Sequence, residues 1–567
     1  MEKGPESPGQ TSWGPSTNPA GAPERTTSMT TDATTADRGT IPGAGWRVLA
    51  GIVSALAAVG VGHGIAALIN PNSSPIIAIG STLIDAAPTP AKEFAVKTFG
   101  TYDKPILIGS IGFVLLIFAG VLGLIAWRRQ IVALAGISLL GIAGLIAAVY
   151  RGEAVDGVPS LVAGLVGILL LRQLSTVRAG QQLPRRAAPT EASSAAGRSN
   201  RVGGSRPTVP ARRPSRRAFF LGLSGAALLA AVGGGAGVVL GRVRQTAAAA
   251  RRAVGLPVPT SPAKAIPAGA QLPGMTSFTT SIDKFYRVDI ALVTPSIDAD
   301  SWSLTIDGMV DKPVTLSYDD LMKMPMIERN ITLTCVSNEV GGSYLGTAKW
   351  LGVPFSEIIK MVGVKEGVEQ VYSYSEDGGY TCSTPYQAVS DGRDAMIVVG
   401  MNGEVLPDKN GFPARMLVPG LFGFVSATKW LKRLEFTTYA GHSAYWTDRK
   451  WATDAPILTQ SRIDVPKSLA SLPADAPVLA GVAWAQHRGI AKVEIRIDEG
   501  DWQQTTLAAD GGIDLWRQWS FRYDGPAGLH SAQVRATDLD GATQPEERTK
   551  VFPDGARGWH QIQFRVD

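Results

Sequence analysis

The stretch Asn330-Ile331-Thr332-Leu333-Thr334-Cys335-Val336-Ser337-Asn338-Glu339 decides how this chain folds and where its chemistry lies. Its first half alternates β-branched and apolar residues with polar ones, the pattern of a strand with one buried face. The second half is polar and is followed by Gly341 and Gly342, so the strand runs into a turn that carries Cys335. A thiolate presented at a strand end is a soft ligand, suited to a metal held in a bulky cofactor. The chain of 567 residues has one other cysteine, Cys382. In an oxidising compartment two cysteines pair by default, and spacing alone favours that disulfide, because no CxxC or His-rich zinc pattern competes with it. On the cysteines alone both readings stay open.

Further blocks follow in order: Gly346-Thr347-Ala348-Lys349-Trp350-Leu351-Gly352-Val353-Pro354, Met401-Asn402-Gly403-Glu404-Val405-Leu406-Pro407, Asn410-Gly411-Phe412-Pro413-Ala414-Arg415, Val418-Pro419-Gly420 and Lys429-Trp430-Leu431. Each is weak by itself. As an ordered set they resemble the sulfite oxidase family of molybdopterin enzymes over roughly the last half of the chain. The resemblance implies that Cys335 binds molybdenum directly, beside the dithiolene of a single pterin. It implies that Arg415 and Lys429 hold the cofactor, with Asn338 and Asn410 in the matching blocks. Both cations lie in apolar stretches, where an unpaired charge is costly, so a buried anion suits them. Upstream, Asp283-Lys284-Phe285-Tyr286-Arg287 resembles the start of the family's cofactor domain. By that resemblance Phe285 and Tyr286 line the cofactor and Arg287 stands near an anionic substrate, although Asp289 and Asp298 also make a surface ion pair for Arg287 a fair reading. Asp377 matches an aspartate at the pterin and otherwise reads as a turn residue. Lys349 is placed with Arg287 at the substrate entrance, and structural roles are the first expectation for Tyr380 and Cys382.

The chain also departs from the sulfite-oxidising pattern. Where that pattern has two arginines after the asparagine of the cysteine loop, this chain has Glu339 and Val340, which lowers the positive charge available to bound sulfite. The tyrosine expected shortly before Met401 is replaced by a stretch holding Val398, Val399 and Gly400. A neutral S-oxide or N-oxide therefore fits the pocket at least as well as sulfite.

The N-terminal half is a different material. Residues 1–45 are rich in Ser, Thr, Pro and Gly and read as a disordered cytoplasmic tail. Apolar stretches follow at about 47–69, 105–127, 131–150 and 157–174, with a fifth at 218–240, each near the ~20 residues that span hydrocarbon. Residues 70–103, with Asp85, Pro88, Lys92 and Glu93, read as an extracytoplasmic loop. Arg128 and Arg129 mark one cytoplasmic loop and the arginine-rich segment 176–217 another, so five spans put the catalytic half outside the cell membrane. Ser215-Arg216-Arg217-Ala218-Phe219-Phe220-Leu221 looks like an internal twin-arginine export signal. The net charge of +6 has this topological cause and does not suggest nucleic acid binding.

The expected architecture is thus multi-domain. A transmembrane α-helical region occupies 46–175 and 218–241, and an Ala/Pro-rich spacer at 242–275 holds the rest off the bilayer. An α+β sulfite-oxidase-like molybdopterin domain follows at 276–450, then an immunoglobulin-like β-sandwich at 455–567. In that family the last module often mediates dimerisation, so a homodimer and a monomeric sandwich are both expected forms. No haem-attaching CxxCH and no cysteine set for an iron–sulfur cluster exists, and the spans hold one histidine, His63, so neither group is expected in this chain. Electrons must then pass to an external partner, a cytochrome or a quinone. The leading expectation is a membrane-anchored molybdopterin oxidoreductase moving an oxygen atom on a small extracytoplasmic substrate. The rivals are an S-oxide or N-oxide reductase of the same family and a catalytically silent membrane scaffold in which Cys335 pairs with Cys382.

Overall fold

The computed structural model describes residues 43–88, 91, 94–95, 98–99, 103–176, 221–235, 239, 255–475 and 477–567. All but the last three residues of the expected tail lie outside these, as does the basic linker with Arg216 and Arg217.

Among the described residues, six apolar helices come first: α1 (Ala44–Ile69), α2 (Pro75–Ala86), α3 (Asp103–Ala126), α4 (Gln130–Arg151), α5 (Val158–Thr176) and α6 (Leu221–Gly235). Four of them, α1 and α3 to α5, are long and apolar enough to cross a membrane, with mean hydropathy between 2.0 and 2.6. Apolar side chains provide no drive for helices to associate in lipid, so close packing of small residues must supply it. It does so here. A methyl group placed on Gly51 of α1 would lie 2.8 Å from the Gly123 Cα of α3, and one on Gly141 of α4 would lie 3.2 Å from the Gly164 Cα of α5. Gly123 also meets Arg47 O and Gly144 meets Ser160, so α1 and α3 run antiparallel, as do α4 and α5.

One expectation changes. Residues 70–103 are more than a loop, since Pro75 opens the 12-residue helix α2, whose Ala78 is buried with Ala147 and Ala148 of α4. Of the fifth apolar stretch, residues 221–235 are described as the helix α6. It runs alongside α1 in the same direction, with Ala230 against Gly60 and Gly233 against Gly64.

The middle of the chain forms two sheets with short helices between their strands, as an α+β reading requires. One has the order β2 (Val314–Ser317), β1 (Ser303–Gly308), β10 (Leu431–Thr437), β5 (Gln370–Ser375), β6 (Thr381–Pro385). The other runs β3 (Ile327–Thr334), β4 (Leu345–Pro354), β7 (Met396–Met401), β8 (Glu404–Val405), with β9 (Arg415–Leu417) paired to β7. Helices α7 (Tyr318–Lys323), α8 (Phe355–Val362) and α9 (Tyr386–Ser390) connect them. Ser317 caps α7 by accepting from Asp320 N–H, while the Asp320 carboxylate accepts from Ser317 N–H. Leu304, Ile306, Val353, Ile358, Leu434 and Phe436 are fully buried in one core, and Ile331, Leu333, Trp350 and Met396 form a second beneath the cysteine turn.

The C-terminal region is a two-sheet sandwich. One sheet has the order β11 (Gln460–Val465), β13 (Val478–Trp484), β17 (Arg517–Arg522), β16 (Thr506–Leu507). The other runs β12 (Ser471–Leu472), β19 (His560–Val566), β18 (Gly528–Asp538), β14 (Ile490–Ile497), β15 (Gln503–Gln504). Leu479 and Trp519 from the first meet Val493, Ile495, Val534 and Phe564 from the second. Residues 255–273 do not stand free as a spacer. Thr260 N–H donates to Met326 O, Ser261 O accepts from Glu328 N–H, and Ala270 is fully buried.

A candidate cofactor site around Cys335

Cys335 is placed by the end of β3 and held by backbone. Its N–H donates to Tyr344 O at 2.9 Å, Asn338 N–H donates to Cys335 O at 3.0 Å, and the Asn338 side-chain oxygen accepts from Tyr344 N–H at 2.8 Å. Asn338 therefore fastens the turn instead of reaching outward. The sandwich grips the same turn from behind: Arg462 Nη1 donates to Gly342 O at 2.5 Å, and Gln486 Nε2 donates to Thr334 Oγ1 at 2.9 Å. Glycine at Gly341, with φ of 77°, takes the left-handed backbone that the turn needs. Cys335 is buried and free, and so is Cys382 on β6, so the disulfide alternative is not formed. Burial pushes the Cys335 thiol up, opposed by hydrogen bonds from Ser337 and by the charge of Lys429.

A cationic wall faces this sulfur. Arg415 on β9 is 4% exposed, and burial lowers its guanidinium to about 10, so it is charged at neutral pH. Its Nη1 donates to Asn410 O at 3.1 Å, its guanidinium lies 5.2 Å from the Trp350 ring centre, and its Nε is buried without a partner. The Asn410 side-chain oxygen is orphaned in the same way. Gly411, with φ of 115°, closes the 408–411 turn against Lys429, where an added methyl group would lie 3.1 Å from Lys429 Cα. Lys429 donates to Asp289 Oδ2 at 3.0 Å and Lys409 O at 3.3 Å, and burial lowers its ammonium to about 8 against the pull of Asp289.

The remaining expected residues divide. Tyr286 stacks on Phe285 with ring centres 5.2 Å apart, and Phe285 meets Trp350 edge-on at 5.6 Å, so Phe285 is a core residue that props Tyr286. Burial pushes the Tyr286 hydroxyl up, and it interacts with both Cys335 and Arg415. Asp377 is buried and accepts from Tyr380 N–H at 3.1 Å; burial pushes its carboxyl up. Arg287 is exposed and donates to Asp289 at 2.8 Å, placing it on the rim. Lys349 is not brought to the site. On β4 it pairs opposite Asn330, and its ammonium meets Glu328 Oε1 at 2.8 Å, at the other end of β3 from Cys335. Glu339 is exposed and Val340 buried, so of the pair that replaces the expected arginines only the carboxylate meets solvent.

Two residues take larger parts than their sequence setting suggests. Tyr380 interacts with Cys335, Cys382 and Arg415, and its hydroxyl donates to Phe424 O at 3.1 Å. Asp289 is a buried carboxylate with Lys429, Lys104 and Arg287 around it; burial opposes its charge, and the three cations still hold it well below the ordinary carboxylate range. Its apolar neighbours Ile290, Ala291 and Leu292 carried the signal, the same one that marks Arg415.

Among the described residues no three His, Cys, Asp or Glu side chains form a metal cluster, so a metal at Cys335 takes its other donors from a cofactor. A pterin fits what is present. Its ring edge offers acceptors for Arg415 Nε and donors for the Asn410 oxygen, and its phosphate suits Arg415 and Lys429.

Residues 291–446 match the oxidoreductase molybdopterin binding domain. The chain is 25% identical to the mitochondrial sulfite oxidase of Rattus norvegicus over 328 residues, 48% of this chain and 59% of that one. It is 27% identical to an NADH nitrate reductase of Solanum lycopersicum over 320 residues, 45% of this chain and 35% of that one. It therefore spans less than two thirds of either relative. Among solved structures it is similar to the sulfane dehydrogenase SoxCD from Paracoccus pantotrophus, with 21% identity and a TM-score of 0.45 over 51% of this chain and 82% of that one. The molybdopterin binding domain at 291–446 and these relatives identify the chain as a molybdopterin oxidoreductase similar to the sulfite oxidases.

Proposed function

We propose that this chain is a membrane-anchored oxidoreductase that binds one molybdenum–pterin group and moves an oxygen atom to or from a small extracytoplasmic molecule. The observation that carries the reading is the pair of buried, unpartnered polar atoms, Arg415 Nε and Asn410 Oδ1, in the domain that holds the buried Cys335 thiol. Buried polar groups are almost always partnered, and a ligand with both donors and acceptors would satisfy these two. Cys335 would ligate the metal; Arg415, Asn410 and Lys429 would hold the pterin. When bound, the group supplies a two-electron couple and exchangeable oxygen positions. Tyr286, kept protonated by burial, would offer a hydrogen-bond donor to a substrate oxygen near Cys335, while the Tyr380 hydroxyl is committed to Phe424 O. Arg287, on the rim, would attract an anion.

The four long helices support anchoring, and Arg128 and Arg129 at the bundle end opposite Asp85, Lys104 and Arg151 support a cofactor domain on the outer side. Electrons would leave or arrive through a quinone or a cytochrome. The sandwich is read as immunoglobulin-like, with a homodimer as the family's common form. An S-oxide or N-oxide reductase is the second reading, favoured by the exposed carboxylate of Glu339 where sulfite would call for a cation.

Metal and pterin analysis of the purified protein beside its Cys335→Ser variant tests the reading. About one molybdenum and one pterin per chain, with the metal lost in the variant, is the expected result. Absence of both from protein made in a cofactor-competent host overturns it.

A further inference from the structure

The bundle end that carries Asp85, Lys104 and Arg151 lies directly on the cofactor domain. Lys104, at the start of α3, donates to Asp289 Oδ1 at 2.5 Å, to Asp289 O at 3.0 Å and to Ala291 O at 2.7 Å, which uses all three ammonium protons. A methyl group on Gly80 of α2 would lie 2.9 Å from Leu292, so that segment is also in van der Waals contact with the bundle. A second footing is built on Asp85. It is paired with Arg151, accepts from Tyr445 OH at 2.8 Å, and lies 3.8 Å from Arg449. The Arg151 guanidinium covers Gly379, two residues from the buried Asp377.

We infer that Lys104, a residue of the membrane bundle, is a positioning residue for the cofactor phosphate, because it shares the Asp289 carboxylate with Lys429. The inference rests on the reading of Lys429 as a cofactor-holding cation. A carboxylate paired with Lys429 alone would neutralise it and leave little attraction for a dianion. In this chain one carboxylate meets three cations, Lys104, Lys429 and Arg287, so the cluster keeps a net charge of about +2 at the place where an anion must be buried. The same contacts fix the backbone of 289–291, which sets where Lys429 ends. The bundle is thereby a wall of the site as well as an anchor.

The test uses the full-length, detergent-solubilised chain, with pterin per chain measured after denaturation and thermal unfolding followed in parallel. Lys104→Met should retain about tenfold less pterin, and Lys104→Arg should retain it. Adding Asp289→Asn to Lys104→Met restores the charge balance and should recover most of the loss, which a purely structural role for Lys104 would not. Wild-type pterin in Lys104→Met overturns the inference. So does a loss that Asp289→Asn does not relieve, whether or not unfolding shifts. If Lys429→Met also retains pterin, the reading of Lys429 itself has failed; if Lys429→Met loses it and Lys104→Met does not, only the inference about Lys104 has.

Discussion

The turn that carries Cys335 and the strand that carries Cys382 hold two buried, free thiols in one domain, and they differ in what surrounds the sulfur. Cys382 is fully buried in the middle of β6, with its sulfur 3.8 Å from Thr384 Oγ1 and further hydroxyls from Ser373 and Thr428 around it. Its neighbourhood is complete. Cys335 instead interacts with Tyr286 and Lys429, and Tyr286 in turn with Arg415, whose Nε has no partner, so the neighbourhood has a donor left over. Burial alone does not mark a reactive cysteine; incomplete pairing around it does.

The sharpest way to break this comparison is to replace each sulfur in turn. Cys335→Ser should lower molybdenum-dependent turnover on the order of 10³-fold or more, with little change in denaturant midpoint. Cys382→Ser should keep the metal and lose only about 1 kcal/mol of stability, since nearby hydroxyls can satisfy a serine. Equal metal loss in both would erase the distinction.

The backing of the Cys335 turn gives the next largest effect. His560 packs on Gly341 and its Nδ1 accepts from Ile463 N–H at 3.0 Å, while burial and then Arg462 lower its pKa to about 4. With the folded value below the ordinary 6.5, the unfolded chain binds more protons between these two values. Stability should therefore fall as pH drops from about 6.5 toward 4, by at most about 3 kcal/mol from this residue. Chemical denaturation across that range, beside His560→Gln, measures it; an equally steep loss in the variant removes His560 as the cause.

Arg415→Met should reduce pterin retention about tenfold while changing the stability of the cofactor-free chain by less than about 1 kcal/mol, because a buried charge is removed along with its two backbone hydrogen bonds, to Asn410 O and Ala427 O. A large loss of stability without cofactor would make Arg415 a structural residue. The smallest effect belongs to Lys349→Met, expected to change substrate KM less than about twofold, since its exposed ion pair with Glu328 is worth little. A larger KM change would restore Lys349 to the substrate entrance.

These contrasts show what was legible in the linear chain. The apolar spans, the strand running into Cys335 and the buried settings of Arg415 and Lys429 all follow from local pattern, and the structure brings Cys335, Arg415, Lys429 and Tyr286 together. Lys349 was misread because a block shared with relatives does not say which face of β4 a side chain takes. Tyr380 and Asp289 owe their positions to tertiary contacts, Tyr380 with Phe424 O and Asp289 with Lys104 of α3. The 255–273 segment looked like a spacer because Ala and Pro carry no periodicity; the hydrogen bonds that fix Thr260 and Ser261 are to Met326 and Glu328, far along the chain. Residue 70 onward read as loop because Asp85 looked foreign to a helix, whereas it caps the junction with Tyr445.

The grip of the sandwich on β3 also bears on biogenesis. Thr332 N–H donates to Asp514 O, and Thr332 Oγ1 accepts from Trp516 N–H, so the strand that delivers Cys335 is completed by residues some 180 positions later. Ribosomal synthesis makes the first four long helices before any of this exists. The turn gains its full set of contacts only after nearly the whole polypeptide has emerged, so on the proposed function membrane insertion of the helices would precede cofactor loading.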